Sequence, residues 1–249
     1  MAFEDILLRV VPTATDELER LGMAVDLARR VRGRLNGLFV VGNDDSKADW
    51  AKALFERAVV RSSLETTWRV MDGRANADIS FIARRSDLVI VPSTGVDRSP
   101  WGRAPEQVAL GSGRPILILP ALVAPISVGN TVLVGWNETR ESSRAIHDAM
   151  PILLAAEKIY VFTAVAEQGP EPVADIQLLG HLRQNGVRAE LVRRRGAYAA
   201  AEIALEMRRI DADLLVIGLH SKSVPGGFEL GDVSGHFVRS ASSPLMCSC

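Results

Sequence analysis

The sequence predicts an α/β protein built from two tandem doubly wound domains, each a five-stranded parallel sheet in the order 3-2-1-4-5 with helices on both faces. Three observations predict it. Short apolar runs alternate with stretches of helical spacing, that alternation occurs twice, and the two rounds share sequence at a fixed separation. DLVIV at 87–91 and DLLVI at 213–217 stand 126 residues apart, as do ILL at 6–8 and VLV at 132–134. Neither DLVIV nor DLLVI alternates with polar residues. Such runs fit parallel strands covered by crossover helices on both faces.

In the first half, strands are expected at DILLRVV (5–11), LNGLFVV (35–41), TTWRVM (66–71), DLVIVPS (87–93) and RPILILP (114–120). Helices are expected at 17–30 and 49–64, with a short third at 77–85; a loop then leads to the last strand. The second half repeats the order with strands TVLVGW (131–136), KIYVFTAV (158–165), VRAELVRR (187–194), ADLLVIG (212–218) and PLMCSC (244–249). SSRAIHDAMPILL, VADIQLLGHLRQN and AAAEIALEMRR are the intervening helices. In PALVAPISVGN (120–130), two prolines and a glycine interrupt both periodicities, which places the joint there. The expected domains are 1–123 and 129–249.

Composition narrows the function. Lysine plus arginine (29) nearly cancel aspartate plus glutamate (30), and the pI is about 6.4. No excess positive field exists to hold nucleic acid or an anionic membrane. No stretch reaches the roughly 18 apolar residues of a spanning helix, and MAFEDILLRVV places acids before its apolar run. A cytoplasmic protein is expected. The two cysteines, Cys247 and Cys249, share a strand face, where a disulfide between them would strain the backbone. They read as small terminal residues. The four histidines are scattered singly, too few and too dispersed for a metal site of about four ligands, so no metal is expected.

In a doubly wound sheet, ligands settle beyond the carboxyl ends of the strands where the strand order reverses. Attention therefore falls on the tips after Val11, Pro92, Trp136 and Gly218. The last of these opens IGLHSKSVPGGFELGDVSG (217–235), a glycine-containing loop between a strand and a helix. Such a loop can cradle a phosphate with amide N–H groups and the following helix N-terminus. It can equally be an ordinary turn, with Asp232 capping the last helix. The Walker pattern, GxGxxG after a first strand, the GxSxG elbow and HExxH are all absent from the sequence. The arginine run at 193–195 reads as a solvated edge.

The duplicated order, the segment VLVGWNETRESSRAI (132–146) and the pattern beginning at Gly218 resemble the universal stress protein family in its tandem form. Members that bind ATP carry Gly, two residues, Gly, nine residues, then Gly with Ser or Thr. Here that register is kept with altered chemistry: Gly218, then Ser221 in place of the second glycine, then Gly231 followed by Asp232. If the Ser221 position requires a positive φ, it is strained. Asp232 places an anion where a hydroxyl would have faced phosphate. At about 4 Å and an effective dielectric of about 20, two like charges repel by about 4 kcal/mol.

What the resemblance implies is a non-catalytic stress-response protein whose second half holds a degenerate adenine-nucleotide (ATP) pocket. Gly218, Ser221, Gly231 and Asp232 would form its phosphate side, with magnesium only where ATP binds. Binding members carry an aspartate at the first strand tip that contacts the adenine end. The corresponding tips here are VVPTAT (10–15), where Val11 cannot replace it, and GWNETR (135–140), where Asn137 is isosteric with it. Asn137 is also a residue that caps helices. In the first half Pro92 stands for Gly218, and Pro105-Glu106 for Gly231-Asp232. Proline has no N–H for a phosphate, so that half is expected to lack the site, and Trp101 and Arg103 in its loop read as packing and surface groups. The alternative is a structural or interaction protein that has lost nucleotide. The resemblance also implies pairing through the last strands, RPILILP against SPLMCSC, as an internal pseudo-dimer. A homodimer is left open by the sequence.

Overall fold

The computed structural model describes residues 3–11, 17–41, 46–73, 79–93, 105–120, 127–165, 173–195, 198–225, 227–240 and 242–249. Trp101, Arg103, most of the 10–15 tip, the centre of the 120–130 joint and Gly226 lie outside the described residues. In the first half, strands β1 (Asp5–Arg9), β2 (Arg34–Val41), β3 (Thr66–Asp72), β4 (Leu88–Pro92) and β5 (Ile116–Leu119) alternate with helices α1 (Glu17–Val31), α2 (Lys47–Val59), α3 (Ile79–Ala83) and α4 (Pro105–Ser112). The second half follows with β6 (Thr131–Trp136), α5 (Arg140–Ala155), β7 (Lys158–Val165), α6 (Val173–Gln184), β8 (Glu190–Arg195), α7 (Ala199–Arg209) and β9 (Leu214–Gly218). It ends with β10 (Ser221–Val224), β11 (Gly227–Leu230), α8 (Asp232–Arg239) and β12 (Leu245–Ser248).

Ten strands form one sheet in the order β3-β2-β1-β4-β5-β12-β9-β6-β7-β8. Each half is therefore a parallel five-stranded sheet in the order 3-2-1-4-5, and the two halves meet where β12 runs antiparallel to β5. The repeat extends to register. Leu8 faces Ile90 across β1 and β4, and Val134 faces Val216 across β6 and β9, each residue 126 positions from its counterpart. Strands β4, β5 and β12 are buried along their whole length. The apolar runs without alternation are thus covered on both faces, and the edge that each last strand would otherwise expose is closed by the other.

The joint is fastened by side chains as well as by the ladder. Asp213 accepts hydrogen bonds from the backbone N–H groups of Gly129, Asn130 and Thr131, all at 3.0 Å. Arg30 of α1 donates to Asn130 Oδ1 at 2.6 Å and to the carbonyl of Val128. Asp87 plays the part of Asp213 in the first half, accepting from Glu4 and Asp5 N–H at 2.9 Å. The aspartate that opens each matching apolar run thus anchors the start of its half.

Two elements depart from the sequence reading. Residues 105–112, expected within a loop, form α4, with Pro105 at the first helical position, where its missing N–H leaves no helical bond unmade. The glycine-containing loop after Gly218 is largely a hairpin. Strands β10 and β11 pair antiparallel with Ser221 opposite Leu230 and Lys222 opposite Glu229.

Candidate functional site: a cavity at the switch point of the second half

Beyond the carboxyl ends of β6, β7 and β9 lies a cavity of about 360 Å³. It stands between β6 and β9, whose onward connections run in opposite directions along the sheet, β6 to β7 and β9 to β12, as expected for an open α/β sheet. One wall is apolar, made by the buried side chains of Phe162, Ile203 and Ile217. Gly135 and Asn137 close the β6 end, and the hairpin and the first turn of α8 close the other. Of the residues expected to form the site, Asn137, Gly218, Gly231 and Asp232 all line this cavity. Ser221 does not; it opens β10, exposed, in the extended conformation that pairs it with Leu230. The strain expected of a serine at positive φ is accordingly not present there.

The glycines serve contacts rather than left-handed turns. A Cβ at Gly218 would stand 2.6 Å from the backbone carbon of Glu141 and 2.6 Å from the nitrogen of Ser142. The end of β9 thus lies directly against the first turn of α5, a closeness open only to glycine. Gly231 has φ −61° and ψ 156° and is the N-cap of α8, with no side-chain cap bond. Its N–H donates to the carbonyl of His220 at 3.0 Å. That amide therefore already has an acceptor within the chain.

Helix α5 begins differently. Its N-cap is Thr139, not Asn137: the Thr139 side chain accepts from Ser142 N–H while the Ser142 hydroxyl accepts from Thr139 N–H at 3.1 Å, a reciprocal capping box. Asn137 instead accepts the Thr139 hydroxyl proton at Oδ1, 2.7 Å away. Between them Glu138 takes φ 58°, the left-handed region rarely adopted by residues with a side chain. This turn fixes the acceptor of Asn137 on Thr139 and leaves its amide N–H groups available at the cavity rim.

Sequence reasoning missed His220. Its Nε2 lies 3.1 Å from Thr139 Oγ1, and its Nδ1 lies 3.5 Å from Glu141 Oε2. Glu141 is held below the ordinary carboxylate range, first by a hydrogen bond from its own backbone N–H, with Arg140 and His220 adding to it. The His220 carbonyl meanwhile accepts from Gly231 N–H and, at 3.4 Å, from the Ser234 hydroxyl. One residue thus ties the α5 cap to the α8 cap. No signal in the sequence exposed this, since Thr139 lies 81 residues away.

Charges around the cavity are few. Lys222 and Asp232 line it, and Lys222 has no carboxylate partner among the described residues. No group of three or more metal-ligating side chains exists among the described residues, and no described helix is long and apolar enough to cross a membrane. Cys247 is buried against β5, and burial pushes its thiol far above the ordinary value, where it is a poor nucleophile. Burial also raises the Cys249 thiol.

Comparison with known proteins gives the class. Residues 130–248 match the sequence model of the universal stress protein family. Over nearly its full length the chain also superposes on a universal stress protein from Archaeoglobus fulgidus, with 14% identity, a TM-score of 0.73, and coverage of 98% of this chain and 97% of the other. A functionally unknown protein from Pseudomonas aeruginosa matches with 15% identity and a TM-score of 0.64, covering 99% and 92%. No curated protein matches the sequence. The second half of this chain belongs to the universal stress protein family, and the first half shares its fold.

Proposed function

We propose that this is a non-catalytic stress-response protein of the universal stress class, acting in the cytoplasm, whose second half binds an adenine nucleotide at the cavity described above. The observation that carries the reading is the cavity itself. At about 360 Å³ it falls in the range of about 300–1,000 Å³ usual for small-molecule sites. Its apolar wall of Phe162, Ile203 and Ile217 suits the faces of a purine. Asn137, whose amide N–H groups are left available while Thr139 holds its oxygen, suits an acceptor on the edge of the base or the ribose. Gly218, Gly231 and Asp232 stand on the phosphate side, with Lys222 as the nearest cation. ATP is the nucleotide that the family pattern brings, and magnesium enters only with it.

The reading is non-catalytic because hydrolysis needs a group that positions or deprotonates water beside the phosphate. The lining offers His220 for that task, and His220 is engaged by Thr139 and Glu141. Ligand occupancy would act instead through the link that His220 makes between α5 and α8. Equilibrium dialysis of the whole chain against labelled AMP and labelled ATP with magnesium tests the proposal. Retention of either at millimolar nucleotide supports it, and retention of neither removes it.

A second reading, a structural or interaction protein without a ligand, draws on the Gly231–His220 hydrogen bond and on the β5–β12 pairing that makes the chain its own pseudo-dimer. Because that pairing uses the last-strand edges internally, a homodimer would need another surface, and β3 and β8 are the outer strands that remain.

A further inference from the structure

Three features of the cavity bear on how many phosphates it accepts. The first is the hairpin. Between Gly218 and Gly231 the chain pairs with itself through β10 and β11, so this segment is not an open loop whose amides are free to gather around an anion. The amide at its end, that of Gly231, already donates to His220. The second is Asp232, the first residue of α8, whose carboxylate stands in the first turn of the helix. The partial positive charge at a helix N-terminus is normally what makes it an anion site. Here the chain supplies that anion itself, and a bound phosphate would compete with it at close range. The third is the supply of positive charge. Among the described lining residues it comes from Lys222 and His220, and His220 is held by Glu141 and Thr139. One free cation balances about one phosphate.

We propose that the cavity takes an adenine nucleoside carrying no more than one phosphate, and that Asp232 is the residue that excludes the triphosphate. This rests on the adenine reading above and adds to it a specificity that the reading leaves open. The purine occupies the apolar wall, the ribose stands toward Asn137, and a single phosphate reaches Lys222 on the exposed face of the hairpin. Longer phosphate chains must pass the Asp232 carboxylate, where each added charge meets repulsion that is only partly screened.

Titration calorimetry of the full chain with adenosine, AMP and ATP, with and without magnesium, tests the proposal. The expected result is AMP and adenosine binding at least about tenfold more tightly than ATP, with the gap narrowing as salt is raised and the field is screened. Asp232→Asn keeps the shape and removes the charge, so it should bring ATP toward AMP by about tenfold while leaving adenosine unchanged. Lys222→Gln should weaken AMP and leave adenosine unchanged. ATP binding as tightly as AMP, with or without magnesium, overturns the proposal, and so does a gap that Asp232→Asn leaves intact. If Asp232→Asn does not fold, the salt dependence of the wild-type gap decides, and a gap indifferent to salt counts against an electrostatic gate. Binding of none of the three removes the adenine reading itself, an outcome distinct from ATP being preferred.

Discussion

The two switch points of this chain stand in matching frames and are filled in opposite ways. In the second half, Gly135 and Gly218 sit at the tips of β6 and β9 beside a cavity of about 360 Å³. At the corresponding positions in the first half stand Arg9 and Pro92, and among the described residues the space beside them is about 10 Å³. Arg9, Glu17 and Arg20 are all at least 95% buried there. Glu17 is ion-paired with Arg20 and accepts the Val11 N–H at 3.0 Å. One half thus spends its switch point on a buried ion pair, and the other leaves it open. The lesson is that the strand order provides a place for a ligand, while a few residues at the tips decide whether the place stays empty.

The largest effect is expected where the closed site is broken. Glu17→Ala removes one buried ionic partner of Arg20 and the acceptor of the Val11 N–H, and should lower stability by about 3 kcal/mol in urea unfolding. Nucleotide binding to the folded fraction should not change, because the other half carries it. Next is Gly218→Ala, which drives a methyl group into the backbone of Glu141 and Ser142. A loss of about 1–3 kcal/mol in the same measurement is expected, together with weakened nucleotide retention as β9 and α5 separate. Smaller again is Thr139→Ala, which removes the α5 cap and should cost about 0.5–2 kcal/mol. Thermal unfolding with and without AMP would show the second consequence: freed from Thr139, Asn137 and His220 lose their fixed orientations, and the stabilisation by AMP should shrink.

The comparison can also be sharpened with pH. The second half buries a carboxylate between arginines too, but away from its cavity: Glu206 is 2% exposed, with Arg209 at 2.5 Å and Arg194 at 2.7 Å. The Arg209 hydrogen bond holds Glu206 below its ordinary value of 4.5. Its contribution is therefore complete above that value and is lost as pH falls through the lower value of the folded state. Glu206→Gln should flatten the acid limb of the stability profile while leaving AMP affinity unchanged. Of the four variants, this one should have the smallest effect at neutral pH on the sheet beside the cavity.

Much of this frame was legible in the sequence because parallel strands buried on both faces leave an unbroken apolar run, and DLVIV and DLLVI are such runs. The matching separation then fixed the repeat, and the order of elements followed from it. The hairpin left no such trace. SKSV is exposed at every position and GFEL at alternate ones, so β10 buries no face that would set a period of two. Helix α4 escaped because Gly111 and Ser112 close a segment of only eight residues, with few apolar positions to mark its turns. At the site, Asn137, Gly218, Gly231 and Asp232 were visible through their register, whereas Ser221 shared the register without reaching the cavity. His220 was the reverse case. It carries the link between the two caps through contacts with residues far away in the chain, and no local pattern records such a contact.

The open switch point is expected to bind nucleotide and the closed one not to. Calorimetric titration of AMP into the intact chain, repeated on Gly135→Leu, tests it most directly, since a side chain at Gly135 enters the cavity beside Ile217. The prediction is one AMP per chain for the wild type and affinity weakened by at least about tenfold, or about 1.4 kcal/mol, in the variant. Two AMP per chain, or undiminished affinity in a folded Gly135→Leu protein, would contradict it.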